Sequence, residues 1–172
     1  MSATSLRSSG RAPLPEGVHR IGGTADYTVS VWRNVMILFL DGGLDEPFFT
    51  TALACHNAAL RFEPSGYGVV VLVGHNVRIP NAEMRALAAE HRQKTQHMLR
   101  AQSVLIGGEG FFASTMRAVM TGILAVAQSR VPMKMVSGEL EAASFVVERA
   151  CGPGANVAEL QAALVSLRAP AA

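Results

Sequence analysis

The stretch 103–126, SVLIGGEGFFASTMRAVMTGILAV, decides the fold. It opens with an apolar run at 104–106, which has the length of a strand covered on both faces. Residues 107–110 contain three glycines in four positions, typical of a turn that needs positive φ or close backbone approach. Apolar residues then recur at helical spacing along 112–126 and predict a buried helix. Strand, glycine turn and helix form one unit of a βα fold.

The same alternation extends along the chain in both directions. Residues 27–32 alternate in polarity and 35–40 are uniformly apolar, so the fold is predicted to open with a hairpin that turns at Arg33 and Asn34. The predicted order is ββαβαβαβα plus one extra C-terminal helix. Right-handed crossovers make the later strands parallel, which predicts an α/β domain with a mostly parallel sheet flanked by helices.

Periodicity also predicts which face of each helix is buried. The inward side chains are predicted to be Phe48, Ala52, Cys55, Ala59 and Phe62 in the first helix, Phe112, Met116, Val119, Ile123 and Val126 in the third, and Leu140, Ala143 and Val147 in the fourth. Arg85, Arg92 and Lys94 are predicted to lie on the solvent side of the second helix.

Composition sets the domain boundaries and excludes several classes of protein. Residues 1–24 are rich in Ser, Gly and Pro and predict a disordered N-terminal tail, whereas 25–169 form a single domain. The formal charge of +2 and the lack of a basic cluster argue against nucleic acid. No apolar run reaches the roughly 20 residues of an integral membrane segment. Cys55 and Cys151 lack CxxC spacing and are expected to be free thiols in the cytoplasm.

Four landmarks of this order resemble a known superfamily. They are Asn34 with Val35, the sequence at 40–42, the strand at 69–77 that leads into Pro80, and 132–136 followed by Glu141, Ala142 and Ala143. Together they resemble the STAS or SpoIIAA-like superfamily, which includes anti-sigma factor antagonists and the cytoplasmic domains of sulphate transporters. The resemblance covers about 27–149 and implies a SpoIIAA-like fold with a non-catalytic regulatory or protein-binding role.

The chain departs from the superfamily at its phosphorylation site. In the phosphorylatable antagonists, an Asp-Ser-Ser-Gly turn follows the third strand and its serine takes the phosphate. The matching residues here are Pro80, Asn81, Ala82 and Glu83, which carry no hydroxyl group. The resemblance is therefore to bacterial members of unassigned function, without the phosphorylation switch at this position.

The carboxyl ends of parallel strands meet at one edge of a sheet, and ligands gather there in open α/β folds. The candidate residues at this edge are Asp41, Gly42, His75, Asn76, Gly108, Glu109, Gly110 and Ser137. Bare backbone donors at the start of a helix suit an anionic group or a partner's loop. The charge of Glu109 would repel an anion, so a protein partner is expected.

Two kinds of chemistry at this edge are alternatives. The spacing Gly108-x-Gly110-x-x-Ala113 matches a dinucleotide fingerprint and would make the turn at 107–110 a nucleotide site. Asp41, His75 and Ser137 could form a hydrolytic triad, but Ser137 is expected to cap a helix and no GxSxG motif is present. The histidines show no metal-ligand spacing. We therefore predict no enzyme activity, no catalytic residues, no cofactor and no metal.

Two further features bear on partners. The helix at 111–129 has a side of small residues: Ser114, Ala118, Thr121, Gly122 and Ala125. Such a side allows close contact inside the domain, which is the favoured interpretation, or across a homodimer. A small apolar ligand or lipid held between helices and sheet is the alternative function. A large apolar cavity would favour it, whereas a packed core would favour the regulatory role.

Overall fold

The computed structural model of the protein describes residues 14–107, 110–126, 128 and 130–168. These residues form six strands and five helices in the order βββαβαβαβαα. The elements are β1 (Val18–Gly23), β2 (Tyr27–Trp32), β3 (Val35–Leu40), α1 (Glu46–Phe62), β4 (Tyr67–Val73), α2 (Ala82–Thr95), β5 (Leu99–Ile106), α3 (Phe111–Val126), β6 (Met133–Val136), α4 (Glu139–Ala150) and α5 (Val157–Arg168). The predicted α/β class is confirmed.

The strands form one sheet in sequence order, β1-β2-β3-β4-β5-β6. β1, β2 and β3 pair antiparallel, whereas β3 to β6 pair in parallel through crossovers that contain α1, α2 and α3. Side chains alternate between the two faces of the sheet. Ile37 and Leu72 pack in the core cluster with α4 and α5, whereas Met36 and Val71 pack in the cluster with α1 and α3.

The predicted hairpin and the predicted start of α1 are both present. Trp32 pairs with Val35 across a two-residue turn in which Arg33 has φ 51°. At α1, Asp45 is the N-cap and its carboxylate accepts a hydrogen bond from the backbone N of Phe48 at 2.9 Å. Pro47 lies in the first turn of this helix, where its missing N–H costs no hydrogen bond.

The prediction of a disordered tail through residue 24 is wrong for Val18–Gly23. This segment is the edge strand β1, and Val18 is buried in the core. The register shifts between Arg20 and Gly22, which places Ile21 in a β-bulge. This edge strand contains a bulge, polar residues and two glycines, so polar and apolar residues do not alternate regularly along it. The local sequence therefore does not indicate a strand that pairs with β2. Residues 1–13 lie outside the described residues.

Several side chains near helix ends also differ from the predicted faces. Phe62, Val126 and Leu140 were predicted to point inward but are exposed. Phe62 is the last residue of α1 and packs under the guanidinium of Arg33 instead, at 5.4 Å from ring centroid to Cζ. Val126 likewise ends α3, and Leu140 lies outside the buried stripe of α4, which is Ala142, Ala143, Val146, Val147 and Ala150.

The small-residue side of α3 faces solvent. Ser114, Ala118, Thr121, Gly122 and Ala125 are all exposed. The favoured interpretation, contact inside the domain, is therefore wrong. The opposite side of the helix contributes buried Met116 to the core, and Val119 and Ile123 on this side are half-buried.

Candidate functional site

The carboxyl edge of the parallel strands brings Asp41 and Asn76 together. Asp41 follows β3, Asn76 lies in the loop after β4, and these two strands pair in parallel. Asp41 accepts hydrogen bonds from the backbone N of Asn76 on Oδ1 and from Nδ2 of Asn76 on Oδ2, both at 3.2 Å. Both carboxylate oxygens are therefore engaged in joining the two loops.

Glycine allows the close packing of these loops. A Cβ at Gly74 would collide with the carboxylate of Asp41, and one at Gly42 would collide with the carboxylate of Asp26. The carbonyl of Gly42 also accepts a hydrogen bond from the backbone N of Arg78 at 3.0 Å. The predicted residues Asp41, Gly42 and Asn76 thus form a tightly packed junction.

His75 and Ser137 lie on the same edge but do not meet. Both are exposed, and β5 lies between the strands that precede them. Two strand spacings separate β4 from β6 by about 10 Å. No hydrogen bond joins the two side chains in the part of the chain that the structure describes, so an Asp–His–Ser triad is not assembled there. Gly138, rather than Ser137, is the N-cap of α4.

The glycine turn after β5 has both features predicted for it, a close approach at Gly107 and a positive φ at Gly110. A Cβ at Gly107 would collide with the guanidinium of Arg168, which also bonds to Oε1 of Glu139 at 2.7 Å. Gly110 has φ +100°, a conformation that side chains disfavour. The Arg168 guanidinium lowers the pKa of Glu139 through this hydrogen bond. Gly108 and Glu109 lie outside the described residues, so the nucleotide interpretation of this turn stays a prediction.

A pocket of about 150 Å³ lies between the sheet and helices α1, α2 and α3. Its floor is formed by strand residues such as Met36, Val69 and Val71, and its helical walls include Phe48 and Met116. The lining is predominantly apolar. The sequence offered an apolar cavity between helices and sheet only as an alternative. Its lining was not predicted, because it forms where six elements meet and no local pattern marks such a meeting.

A polar group interrupts the apolar lining where α2 faces β5. Arg92 was predicted to lie on the solvent side of α2 but is only 8% exposed. Its Nη1 donates a hydrogen bond to Oε1 of Gln102 on β5, and both residues line the pocket. Burial lowers the pKa of Arg92, and nearby Tyr67 opposes this effect. Helical periodicity alone placed Arg92 incorrectly, because its hydrogen-bond acceptor, Gln102, lies on another element of the fold.

Two histidines on this side of the sheet lie away from bulk water, His56 buried and His91 half-buried. His56 is buried against the ring of Tyr67, with centroids 4.7 Å apart, and its Nδ1 has no hydrogen-bond partner among the described residues. Burial lowers the pKa of His56, and His97 lowers it further. Burial also lowers the pKa of His91, with smaller contributions from His56, Lys94 and Arg92.

These histidines predict that acid destabilises the fold. An unfolded histidine has a pKa of 6.5, and the pKa of His56 is lower than this in the native state. As the pH falls below 6.5, the unfolded chain therefore binds more protons than the native chain does. The free energy of unfolding should therefore begin to fall as the pH drops below about 6.5. Urea titrations between pH 7.5 and 5 measure this change. His56→Gln should flatten the dependence, whereas the exposed control His75→Gln should leave it; an unchanged slope in His56→Gln would contradict the assignment.

The two thiols are free, as predicted. Cys55 is buried in α1 and donates a hydrogen bond to the carbonyl of Ser30 at 3.2 Å. Burial raises the pKa of Cys55 to about 12 and that of Cys151 to about 11. Neither thiol is therefore activated as a nucleophile at neutral pH.

A wider cleft of about 640 Å³ lies near the amino ends of β5 and β6. Gln93, Arg100, Gln128, Arg130 and Pro132 line it and are all exposed. Arg100 is already engaged, because its Nε donates to the carbonyl of Ser65 at 3.0 Å. This cleft offers a ligand less apolar burial than the pocket between sheet and helices, which is the stronger candidate site.

Within the described ranges, no helix combines the length and the apolar character needed to cross a bilayer. The same residues contain no group of three or more His, Cys, Asp or Glu side chains placed to hold a metal ion. Comparison of the chain with protein-family models, with curated proteins and with solved structures finds no match. The fold and the pocket define an α/β domain with an internal apolar pocket, and the resemblance to the STAS or SpoIIAA-like superfamily stays a prediction.

Proposed function

We propose that this domain binds a small apolar molecule in the pocket between its sheet and helices α1, α2 and α3, without catalysing a reaction. The pocket itself is the observation that carries the proposal, because ligand sites are typically concave, mostly apolar and marked by a few polar groups. A dry cavity of about this volume holds benzene, so a ligand of about six carbons fits.

Neither hydroxyl group of the pocket lining is an activated nucleophile, which supports binding. Thr95 is the one serine or threonine among the described lining residues. Its hydroxyl donates to the backbone carbonyl of His91 at 2.9 Å and so is not aligned with a general base. Burial raises the pKa of Tyr67, which keeps its phenol neutral at physiological pH.

Calorimetric titration with 1-hexanol tests the proposal. We expect saturable binding to the intact chain and weaker binding to Ala88→Leu, because Ala88 lines the pocket. If the larger side chain displaces two ligand methylenes, the binding free energy weakens by about 1.6 kcal/mol, which raises Kd about 14-fold. Ala86→Leu makes the same change at an exposed position of α2 and should bind like the parent.

Equal affinities for the parent, Ala88→Leu and Ala86→Leu would show that 1-hexanol binds elsewhere. A parent chain that binds no 1-hexanol would contradict the proposal directly. Thermal denaturation of each variant verifies that the compared proteins are folded.

A regulatory, protein-binding role is the second candidate, and the exposed side of α3 favours it. Phe111 is 88% exposed, and Arg117 is the one charged residue in this helix. The small side chains on the exposed side of α3 would let an apolar helix of a second copy approach closely. Sedimentation equilibrium should then show a dimer that Ala118→Glu dissociates and that Ala54→Glu, an exposed change on α1, leaves intact. A monomeric parent would exclude self-association.

A further inference from the structure

We infer that the ligand of the pocket carries a carboxylate, bound by the guanidinium of Arg92 and by Nε2 of Gln102. This inference rests on the proposed function and adds the chemical class of the ligand, a small apolar monocarboxylic acid. The recognition group would lie where α2 faces β5, with the apolar part of the ligand against the remaining lining.

The side-chain amide of Gln102 is the first observation that points to an acceptor. Gln102 is 6% exposed and lines the pocket. Its Oε1 accepts from Arg92, which fixes the orientation of the amide. Its Nε2 donates no hydrogen bond to any residue that the structure describes. A purely apolar ligand would seal this donor from water without a partner, which weakens binding.

The guanidinium of Arg92 is the second observation. An arginine side chain keeps its positive charge in proteins, and burial in a low-dielectric interior strengthens its attraction to an anion. Hydrogen bonds between a guanidinium and a carboxylate are charge-assisted and stronger than neutral ones. Arg92 and Gln102 meet at the same end of the pocket. A carboxylate there can accept a hydrogen bond from Nε2 of Gln102 and is attracted by the guanidinium charge, whereas an ammonium group is repelled by that charge.

Arg78 provides a second cation at the pocket but a weaker site. It lies in the loop after β4, lines the pocket and is exposed, so water and salt screen its charge. A ligand whose carboxylate remained at the surface would use Arg78, whereas the inference places the carboxylate at Arg92. Variants at these positions therefore distinguish the two orientations.

Titration at neutral pH with hexanoate, 1-hexanol and hexylamine tests the inference. The three probes share a six-carbon chain and differ in the charge and hydrogen-bonding capacity of the head group. We expect hexanoate to bind about tenfold or more tightly than 1-hexanol, because a charge-assisted bond replaces a neutral one. Hexylamine should bind most weakly, because its ammonium would face the guanidinium.

Gln102→Glu is the decisive variant. It preserves the side-chain shape, removes the Nε2 donor and places a carboxylate beside Arg92 that competes with the ligand. Hexanoate affinity should fall about tenfold or more, whereas 1-hexanol affinity should fall much less, because its neutral head group is not repelled by the new carboxylate. Arg78→Met should leave the preference for hexanoate over 1-hexanol unchanged, because the inference places the carboxylate at Arg92. Arg92→Met should remove the hexanoate preference, and Gln102→Glu keeps the test decisive if Arg92→Met does not fold.

Each outcome separates the inference from the proposed function. Preference for hexanoate that Gln102→Glu abolishes supports the inference. Binding of 1-hexanol as tight as that of hexanoate overturns it and leaves the proposed function standing. Loss of the preference in Arg78→Met, but not in Gln102→Glu, also overturns it, because the carboxylate then binds at the surface. If the parent binds none of the three probes, both the inference and the proposed function fail.

Discussion

Replacing Leu105 with alanine is expected to lower the free energy of unfolding by about 2–5 kcal/mol. Leu105 is fully buried near the carboxyl end of β5, where it pairs with Leu72 of β4 and Val136 of β6. Its side chain packs in the core cluster with α4 and α5. Truncation removes buried methyl and methylene groups and leaves a cavity that a central strand cannot close.

Leu140→Ala is the matched control, because it makes the same chemical change at a side chain that is 56% exposed. Exposed substitutions of this kind usually change stability by about 0.5 kcal/mol or less. Urea unfolding of the two variants measures the difference. Equal losses would contradict burial of this face of β5 beneath α4 and α5.

Replacing Asn34 with alanine is the second large loss that we expect. Asn34 is buried at the β2–β3 turn, and its Nδ2 donates to the carbonyl of Gly66 at 3.0 Å and to that of Ala150 at 2.6 Å. One side chain therefore ties the hairpin to the start of β4 and to the end of α4. The alanine variant leaves both buried carbonyls without this donor, at a cost of about 1–3 kcal/mol for each.

Asn57→Ala is the control for this loss, since Asn57 is exposed in α1. Alanine favours helix more than asparagine does, so the control should be neutral or slightly stabilising. Chemical denaturation monitored by tryptophan fluorescence suits the comparison, because Trp32 is buried beside the turn. A loss at Asn34 no larger than that at Asn57 would show that the two hydrogen bonds contribute little.

The elements that could be predicted from sequence carry their own local signals. The hairpin turn at Arg33 and Asn34 lies between two clear strand patterns. The start of α1 is marked by Asp45 and Pro47, and the glycine turn after β5 by its composition. In each case, residues close together in the chain determine the structure, so a short window of sequence is sufficient.

What could not be predicted depends on contacts between distant parts of the chain. The strand β1 is specified by pairing with β2, and its bulge disrupts the alternation that would have marked it. Burial of Arg92 depends on Gln102, ten residues away on a different element. The candidate edge was predicted from topology and does join Asp41 to Asn76, but the same topology separates His75 from Ser137.

The lining of the pocket could not be predicted for a related reason. Its lining residues have the apolar character of ordinary core positions, and only their packing leaves a space. Three methionines, Met36, Met116 and Met120, border this space. Flexible methionine side chains adapt to a ligand's shape, which suits a binding pocket as well as a packed core.

Methyl spectra of the protein labelled with ¹³C-methyl methionine test the central claim most directly. Titration with 1-hexanol should produce saturable shifts at Met36, Met116 and Met120, which line the pocket. Met84 and Met133 are outside this lining and should remain unchanged. Shifts confined to Met84 and Met133, or no saturable shift at any methionine, would contradict binding of a small apolar ligand between the sheet and helices α1, α2 and α3.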